Sequence, residues 1–313
     1  MGKGSGYGKV ILFGEHFVVH GVPGIVSAID STTDVEVKRI GEGIAINDER
    51  KGAKGYTEKK RAHQKESMER MLKTMGIDPR KAALEIWLGG NLPGFSGIGA
   101  SAASSVAIAR ALAEECEMDL SDERINEIAY EAEKAYAGTP SGIDNTAATY
   151  GGLIWFRRNL KGGPNTIEKL GPREPVEIII GNTGIVANTK EMVAGVADRK
   201  KRNPEKYNPL FRQSEELAFA ARRALEEFDL RRVGRLMNEN HRLLQEIEVS
   251  CEELDYLVNL AREQGALGAK LTGGGGGGCM VALTPGRKLQ TTVAATMEKE
   301  GYEVLSTKIG IQK

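Results

Sequence analysis

The sequence is poor in cysteine. Its 313 residues include three, Cys116, Cys251 and Cys279. They lie far apart, form no CxxC pair and have no histidine beside them at zinc spacing. A disulfide framework and a zinc site are therefore not expected, and reduced structural thiols are. No apolar run reaches the roughly 18 residues that a membrane span needs. The first residues, Met1-Gly2-Lys3-Gly4-Ser5-Gly6, lack the hydrophobic region of a signal peptide. A cytoplasmic protein without a membrane partner is expected. Net charge is missing too: Lys+Arg and Asp+Glu each total 43. A general polyanion binder carries a basic excess, so the balance argues against nucleic acid as partner. It leaves room for a small anion held by backbone N–H groups.

What is abundant is glycine, 39 residues in all. The glycines gather near positions 2–8, 89–99, 151–152 and 273–278. Such clusters between periodic segments point to backbone geometry that a Cβ would forbid.

The segments between the clusters alternate in type. Val10-Ile11-Leu12-Phe13 reads as a buried strand, and Val35 and Val37 belong to a half-exposed one. Residues 45–65 are polar and show no period. Met68, Met71, Leu72 and Met75 recur at helical spacing over 64–76. Leu84, Ile86 and Leu88 form a strand that runs into Gly89-Gly90. Residues 100–115 read as a small-residue helix. A second helix starts after Ser121, a good N-cap followed by Asp122 and Glu123, and stops near Gly138, before Pro140. Residues 176–180 form a buried strand, and 190–265 are mostly helical. Residues 280–283 form a strand, 287–299 a helix and 304–309 a last strand. Strands mix with helices in each half, which predicts an α+β chain. The Gly/Pro-rich stretch 161–175 suggests domains of residues 1–175 and 176–313.

Four segments carry candidate chemistry. The first is 89–102, where a strand ends, a Gly/Pro/Ser loop follows and a helix begins. A helix start offers unpaired N–H groups and a partial positive charge, and Gly97 and Gly99 permit close approach of an anion. Read alone, the loop fits a phosphate cradle or an ordinary turn. It is neither a Walker loop, for no G-x-x-x-x-G-K-[ST] occurs, nor GxGxxG, because Ala102 stands at the last glycine position. The second is 138–145, turn-forming residues around Asp144. That carboxylate could accept a proton from an alcohol during phosphoryl transfer, or it could cap the next element. The third is the glycine run 273–278, a flexible linker by composition or a functional loop because a strand follows directly. The fourth is Lys9 with Glu15 and His16, at either end of a buried strand. A snorkelling lysine and a hydrogen-bonded structural histidine are the ordinary readings.

Taken together, the segments resemble the galactokinase/homoserine kinase/mevalonate kinase/phosphomevalonate kinase (GHMP) superfamily over nearly the whole chain. Its motif Pro-x-x-x-Gly-Leu-Gly-Ser-Ser-Ala is similar to Pro93-Gly94-Phe95-Ser96-Gly97-Ile98-Gly99-Ala100-Ser101-Ala102. Its Gly-Ala-Gly-Gly-Gly-Gly is similar to Gly273 onward. Residues 8–21, beginning Gly8-Lys9 and including Gly14-Glu15-His16, resemble the first motif of the mevalonate kinase family. Residues 138–152 and 188–196 resemble later stretches of it.

The resemblance implies a two-domain α+β fold. The N-terminal domain would be like ribosomal protein S5 domain 2, the C-terminal one ferredoxin-like, with the site in the cleft between. It implies an ATP- and Mg²⁺-dependent kinase of isoprenoid biosynthesis, a homodimer, that phosphorylates the C5 hydroxyl of (R)-mevalonate. Asp144 falls on the catalytic aspartate and Lys9 on the active-site lysine. Ser101 and Glu133 fall on the Mg²⁺ ligands. Residues Pro93 to Ala102 fall on the nucleotide loop. Glu15, His16 and Thr189 fall on the mevalonate side, with His16 donating to its carboxylate. The glycine loop Gly273, Gly274, Gly275 and Gly276 would close over the site. The sequence departs from the family pattern at Tyr7 (usually Pro), Ala100 (usually Ser) and Gly274 (usually Ala). Two alternatives stay open: a sister kinase acting on phosphomevalonate or another small alcohol, with Lys190 as an extra cation, and a ligand sensor that has lost catalysis.

Overall fold

The computed structural model describes residues 1–50, 58–171 and 173–311. Two compact units take non-contiguous pieces of the chain. The first holds Met1–Lys9, Ser31–Phe95 and Gly99–Gly151; the second holds Val10–Asp30, Ser96–Ile98 and Gly152–Lys313. The sequence suggested a boundary within 161–175, and the structure differs. Strand β6 (Thr166–Leu170) lies within that stretch and pairs with β5 (Leu153–Arg157), which also pairs with residues 24–27 of β2 (Gly24–Arg39). The chain leaves the first unit at Gly151 and Gly152, whose φ of 66° and 73° make a turn that favours glycine.

The first unit pairs residues 33–39 of β2 antiparallel with β4 (Leu84–Gly90), and β4 parallel with β3 (Ile44–Asp48). Strand β1 (Gly2–Phe13) pairs with β2. Helices α1 (Glu58–Thr74), α2 (Ala100–Glu115), α3 (Asp122–Ala137) and α4 (Ile143–Tyr150) complete it. Strand β3 and the start of α1 occupy the aperiodic stretch 45–65; its middle, residues 51–57, lies outside the described residues. Glycines bring α2 onto β1. A Cβ at Gly2, Gly4 or Gly6 would lie 2.1, 2.1 or 2.2 Å from the carbonyl oxygens of Ala111, Ala107 and Ala103. Alternate strand positions thus meet successive helix turns backbone to backbone. Alanines on α2 and Val35, Ile86, Met71 and Ile128 fill this core.

In the second unit, β10 (Glu303–Ile309), β7 (Val176–Asn182), β9 (Cys279–Leu283) and β8 (Gly268–Thr272) form an antiparallel run in that order. Helices α5 (Thr189–Arg202), α6 (Pro204–Glu226), α7 (Leu230–Glu246), α8 (Glu252–Glu263) and α9 (Arg287–Lys299) pack with it. Their apolar faces, among them Leu217, Leu243, Leu257 and Val293, join Ile179 and Leu271 in one core. Among the described residues no helix is long and apolar enough to cross a membrane.

Candidate active site

In the first unit, α2 begins after Gly99, which sits at φ 73° and offers no side-chain cap. Ser101, in its first turn, donates to Glu133 Oε2 at 3.0 Å, and Ser105 donates to Oε1 at 3.3 Å. Serines one turn apart on α2 thus grip one carboxylate on α3. Glu133 is buried, 5% exposed. Burial and then the neighbouring Asp144 carboxylate push its carboxyl up to about 8.

Lys9 approaches the same region from β1. Its Nζ lies 3.1 Å from Asp144 Oδ1; the lysine side chain is 2% exposed and the aspartate 37%. The Lys9 stem packs on Gly99, where a Cβ would come within 2.7 Å of its Cγ. The cap reading of Asp144 does not hold. The N-cap of α4 is Gly142 at φ 91°, and Ser141 Oγ accepts the hydrogen bond from Ile143 N. Asp144 instead stands in the first turn, where the helix dipole favours a carboxylate. The anchors of α4 are Asn145, donating to Asn126 Oδ1 at 2.7 Å, and Thr146, donating to the Gly142 carbonyl at 2.6 Å. The unit thus presents a buried cation beside a half-exposed carboxylate, a second buried carboxylate with two hydroxyls, and two helix starts.

The second unit holds the other expected residues, and two of them have partners within the fold. Glu15 and Lys270 are each wholly buried and form an ion pair. Lys270 Nζ also donates to the carbonyls of Leu271 at 2.5 Å and Ile11 at 3.3 Å. Glu15 was expected to face mevalonate; in the structure it braces the turn after β1. His16 was expected to donate to a carboxylate. Its Nε2–H instead donates to the Gly274 carbonyl at 2.9 Å, and burial lowers its pKa to about 4, so the ring is neutral at physiological pH. Thr189 is exposed at the start of α5, after the N-cap Asn188. It abuts Gly274: a Cβ there would lie 2.6 Å from Thr189 Oγ1. The family's usual alanine would meet this hydroxyl.

The glycine run is pinned and does not form a free flap. Gly276 N donates to the Val249 carbonyl at 2.9 Å, Gly278 N donates to Ile185 O at 2.8 Å, and the Gly278 carbonyl accepts from Thr183 N at 2.9 Å. Its glycines are required by packing, since a Cβ at Gly275 would sit 2.0 Å from Val249 O. The run also meets the loop at 96–98: a Cβ at Gly273 would lie 2.5 Å from Gly97 Cα. In residues 93–102, Phe95 and Ile98 are buried anchors, and Ser96 is exposed.

Residues 62–152 match the GHMP kinases N terminal domain and residues 221–303 the GHMP kinases C terminal family. A mevalonate kinase from Pyrococcus horikoshii is 34% identical over 310 residues, covering 91% of this chain and 89% of its own length. The chain belongs to the mevalonate kinase family of GHMP kinases. A crystal structure of L. major mevalonate kinase in complex with R-mevalonate superimposes with a TM-score of 0.91 at 39% identity, covering 99% of this chain and 96% of that one. The Methanococcus jannaschii mevalonate kinase superimposes with a TM-score of 0.79 at 25% identity, covering 98% of each chain. Membership in the mevalonate kinase family makes this chain a small-molecule kinase.

Two members of the buried polar sets were not singled out from the sequence. Ser105 could have been found as the residue one turn beyond Ser101. Lys270 is the one charged residue in a strand whose five positions are all buried, and a buried ammonium requires a buried counter-charge.

Proposed function

We propose that the chain transfers the γ-phosphoryl group of ATP to the C5 hydroxyl of (R)-mevalonate, giving 5-phosphomevalonate and ADP. The observation that carries this reading is the Lys9–Asp144 ion pair at 3.1 Å, in a chain whose relatives are mevalonate kinases. Asp144 accepts the hydroxyl proton as the new O–P bond forms and the bond from the γ-phosphorus to ADP breaks. The transition state is largely dissociative, so the aspartate acts chiefly by orienting the hydroxyl and taking its proton late. Lys9, fixed in the core, offsets negative charge on the transferring group. The start of α2 and the glycines at 97 and 99 take the phosphates.

Ser101 and Glu133 fit a Mg²⁺ ion. Both are hard oxygen donors, and Mg²⁺ usually takes one or two protein ligands alongside phosphate oxygens and water. The upward push on Glu133 fits as well, because two close carboxylates in a buried setting call for a cation. When bound, the ion supplies charge neutralisation on the phosphates. Thr189 and the His16–Gly274 turn are the substrate-side candidates, with His16 acting by holding the glycine run.

A coupled ADP-release assay against mevalonate, phosphomevalonate, galactose and homoserine tests the reading. Mevalonate is expected to give the highest kcat/KM, and a preference for phosphomevalonate would move the assignment to the sister activity. The sensor alternative is disfavoured because Lys9, Glu133 and Asp144 are all present. Cytoplasmic location and a homodimer belong to the same proposal; light scattering on the eluting protein tests the dimer.

A further inference from the structure

Arg50 belongs to none of the motifs, yet it is buried, 6% exposed, and makes more side-chain bonds than its neighbours in sequence suggest. Nε and Nη2 donate to Asp48 Oδ1 and Oδ2 at 2.8 and 2.6 Å, a two-pronged ion pair. Nη1 reaches past that pair to three further acceptors: Ser104 Oγ at 2.8 Å, Thr33 Oγ1 at 3.1 Å and the Ala100 carbonyl at 3.5 Å. Ser104 in turn donates to the Ala100 carbonyl at 2.7 Å. One guanidinium therefore ties the end of β3 and a buried threonine of β2 to the first turn of α2.

That turn lacks a capping side chain. Its N-cap is Gly99, with a left-handed backbone and no capping side chain, and the next residue is Ala100, which has no hydroxyl. A helix start that must hold phosphates gains from being fixed before they arrive, because ordering it on binding costs free energy.

We propose that Arg50 is a positioning residue for the nucleotide. It holds the first turn of α2 in register with β2 and β3 so that Ser101 and the free N–H groups meet the phosphates without rearrangement. The proposal rests on the reading that ATP phosphates bind at the start of α2.

The test measures kcat, the KM values for ATP and mevalonate, the calorimetric Kd for ADP, and Tm. The proteins are wild type, Arg50→Lys, Arg50→Met, Ser104→Ala and the double variant Asp48→Asn/Arg50→Met. Arg50→Met is expected to raise the ATP KM and the ADP Kd about tenfold, the size of one lost charge-assisted hydrogen bond, with the mevalonate KM unchanged. Arg50→Lys keeps the charge but not the fork and is expected to restore part of the loss. Ser104→Ala removes one acceptor without burying a charge and is expected to act in the same direction with a smaller effect. The double variant also removes the carboxylate charge that faced the guanidinium, so Tm recovers while the ATP KM stays high. An ATP KM at the wild-type value in the double variant, or equal rises in both KM values, overturns the proposal. Wild-type protein that binds no ADP overturns the kinase reading and this proposal with it; normal wild-type binding with unaffected variants overturns this proposal alone.

Discussion

Lys9 and Asp144 meet at 3.1 Å, and the two ends of the pair differ in exposure, 2% for the lysine side chain and 37% for the aspartate. The cation is held by packing on Gly99, and the carboxylate stands where a substrate can reach it. Asp144→Asn keeps the shape and removes the proton acceptor. Lys9→Met keeps the stem and removes the charge. Each is expected to lower kcat by about 10²-fold or more. Circular dichroism should show folding intact, because Asp144 in Lys9→Met is still hydrated and Asp144→Asn keeps an acceptor oxygen for Lys9. Near-wild-type turnover in Asp144→Asn rules out the base role.

Glu133 gives a pH signature. Its carboxyl is raised to about 8 in the fold from an ordinary 4.5. The folded state therefore binds this proton more tightly than the unfolded chain. The stability this contributes to the ligand-free protein is fully present below about 4.5 and is lost as pH rises through about 8. Glu133→Gln removes the dependence. Its Tm should run above wild type at pH 8.5 and converge at pH 4.5. Mg²⁺ with ADP should reverse the order at pH 8.5 by stabilising wild type alone, and a chelator should restore it. A Gln variant stabilised equally by Mg²⁺ and ADP would take Glu133 out of the metal site.

His16 works with the opposite sign. Burial lowers its pKa from 6.5 to about 4. The stability that comes from keeping the ring neutral is complete above about 6.5 and is lost as pH falls through about 4, up to about 3 kcal/mol in all. His20 and His241 are also lowered to about 4, mainly by burial, and add acid loss of the same sign. His16→Gln should remove its own share. Urea unfolding at pH 7 and pH 4.5 should show a smaller pH difference in the variant than in wild type. An unchanged difference would mean that the ring is not neutral and buried in solution.

How far the sequence carried the site depends on what each residue touches. Helices α2 and α3 and the Ser121 cap were readable because their signals are local: apolar spacing, a capping side chain and a terminating glycine. Lys9, Ser101, Glu133 and Asp144 were singled out because the family motifs mark them. Strands β5, β6 and β8 were not read, for they are short and border glycine-rich turns, where alternation has too few positions to register. The partner of Glu15 was not foreseen for a related reason. A carboxylate in a motif looks like a ligand until its partner is known, and that partner, Lys270, is distant in sequence. The glycine run looked flexible by composition, whereas the carbonyls of Val249 and Ile185 make glycine obligatory there. Backbone approach from a distant segment leaves no mark on the local pattern.

The Glu15–Lys270 pair separates a brace from a substrate ligand. Both side chains are wholly buried, and the lysine also donates to the backbone carbonyls of Ile11 in β1 and Leu271 in β8. Removing one partner strands a charge in the core, so Lys270→Met and Glu15→Gln should each destabilise the fold, the lysine change by about 3–5 kcal/mol. Replacing both removes the stranded charge, and Glu15→Gln/Lys270→Met should recover most of that loss. Denaturant titration of the four proteins gives the coupling directly. The mevalonate KM discriminates further. A brace shifts it only as far as the turn moves, so the double variant should sit near wild type once folded. A large rise in mevalonate KM for Glu15→Gln, with stability untouched, would show that the carboxylate meets substrate and that the buried pairing does not describe the working enzyme.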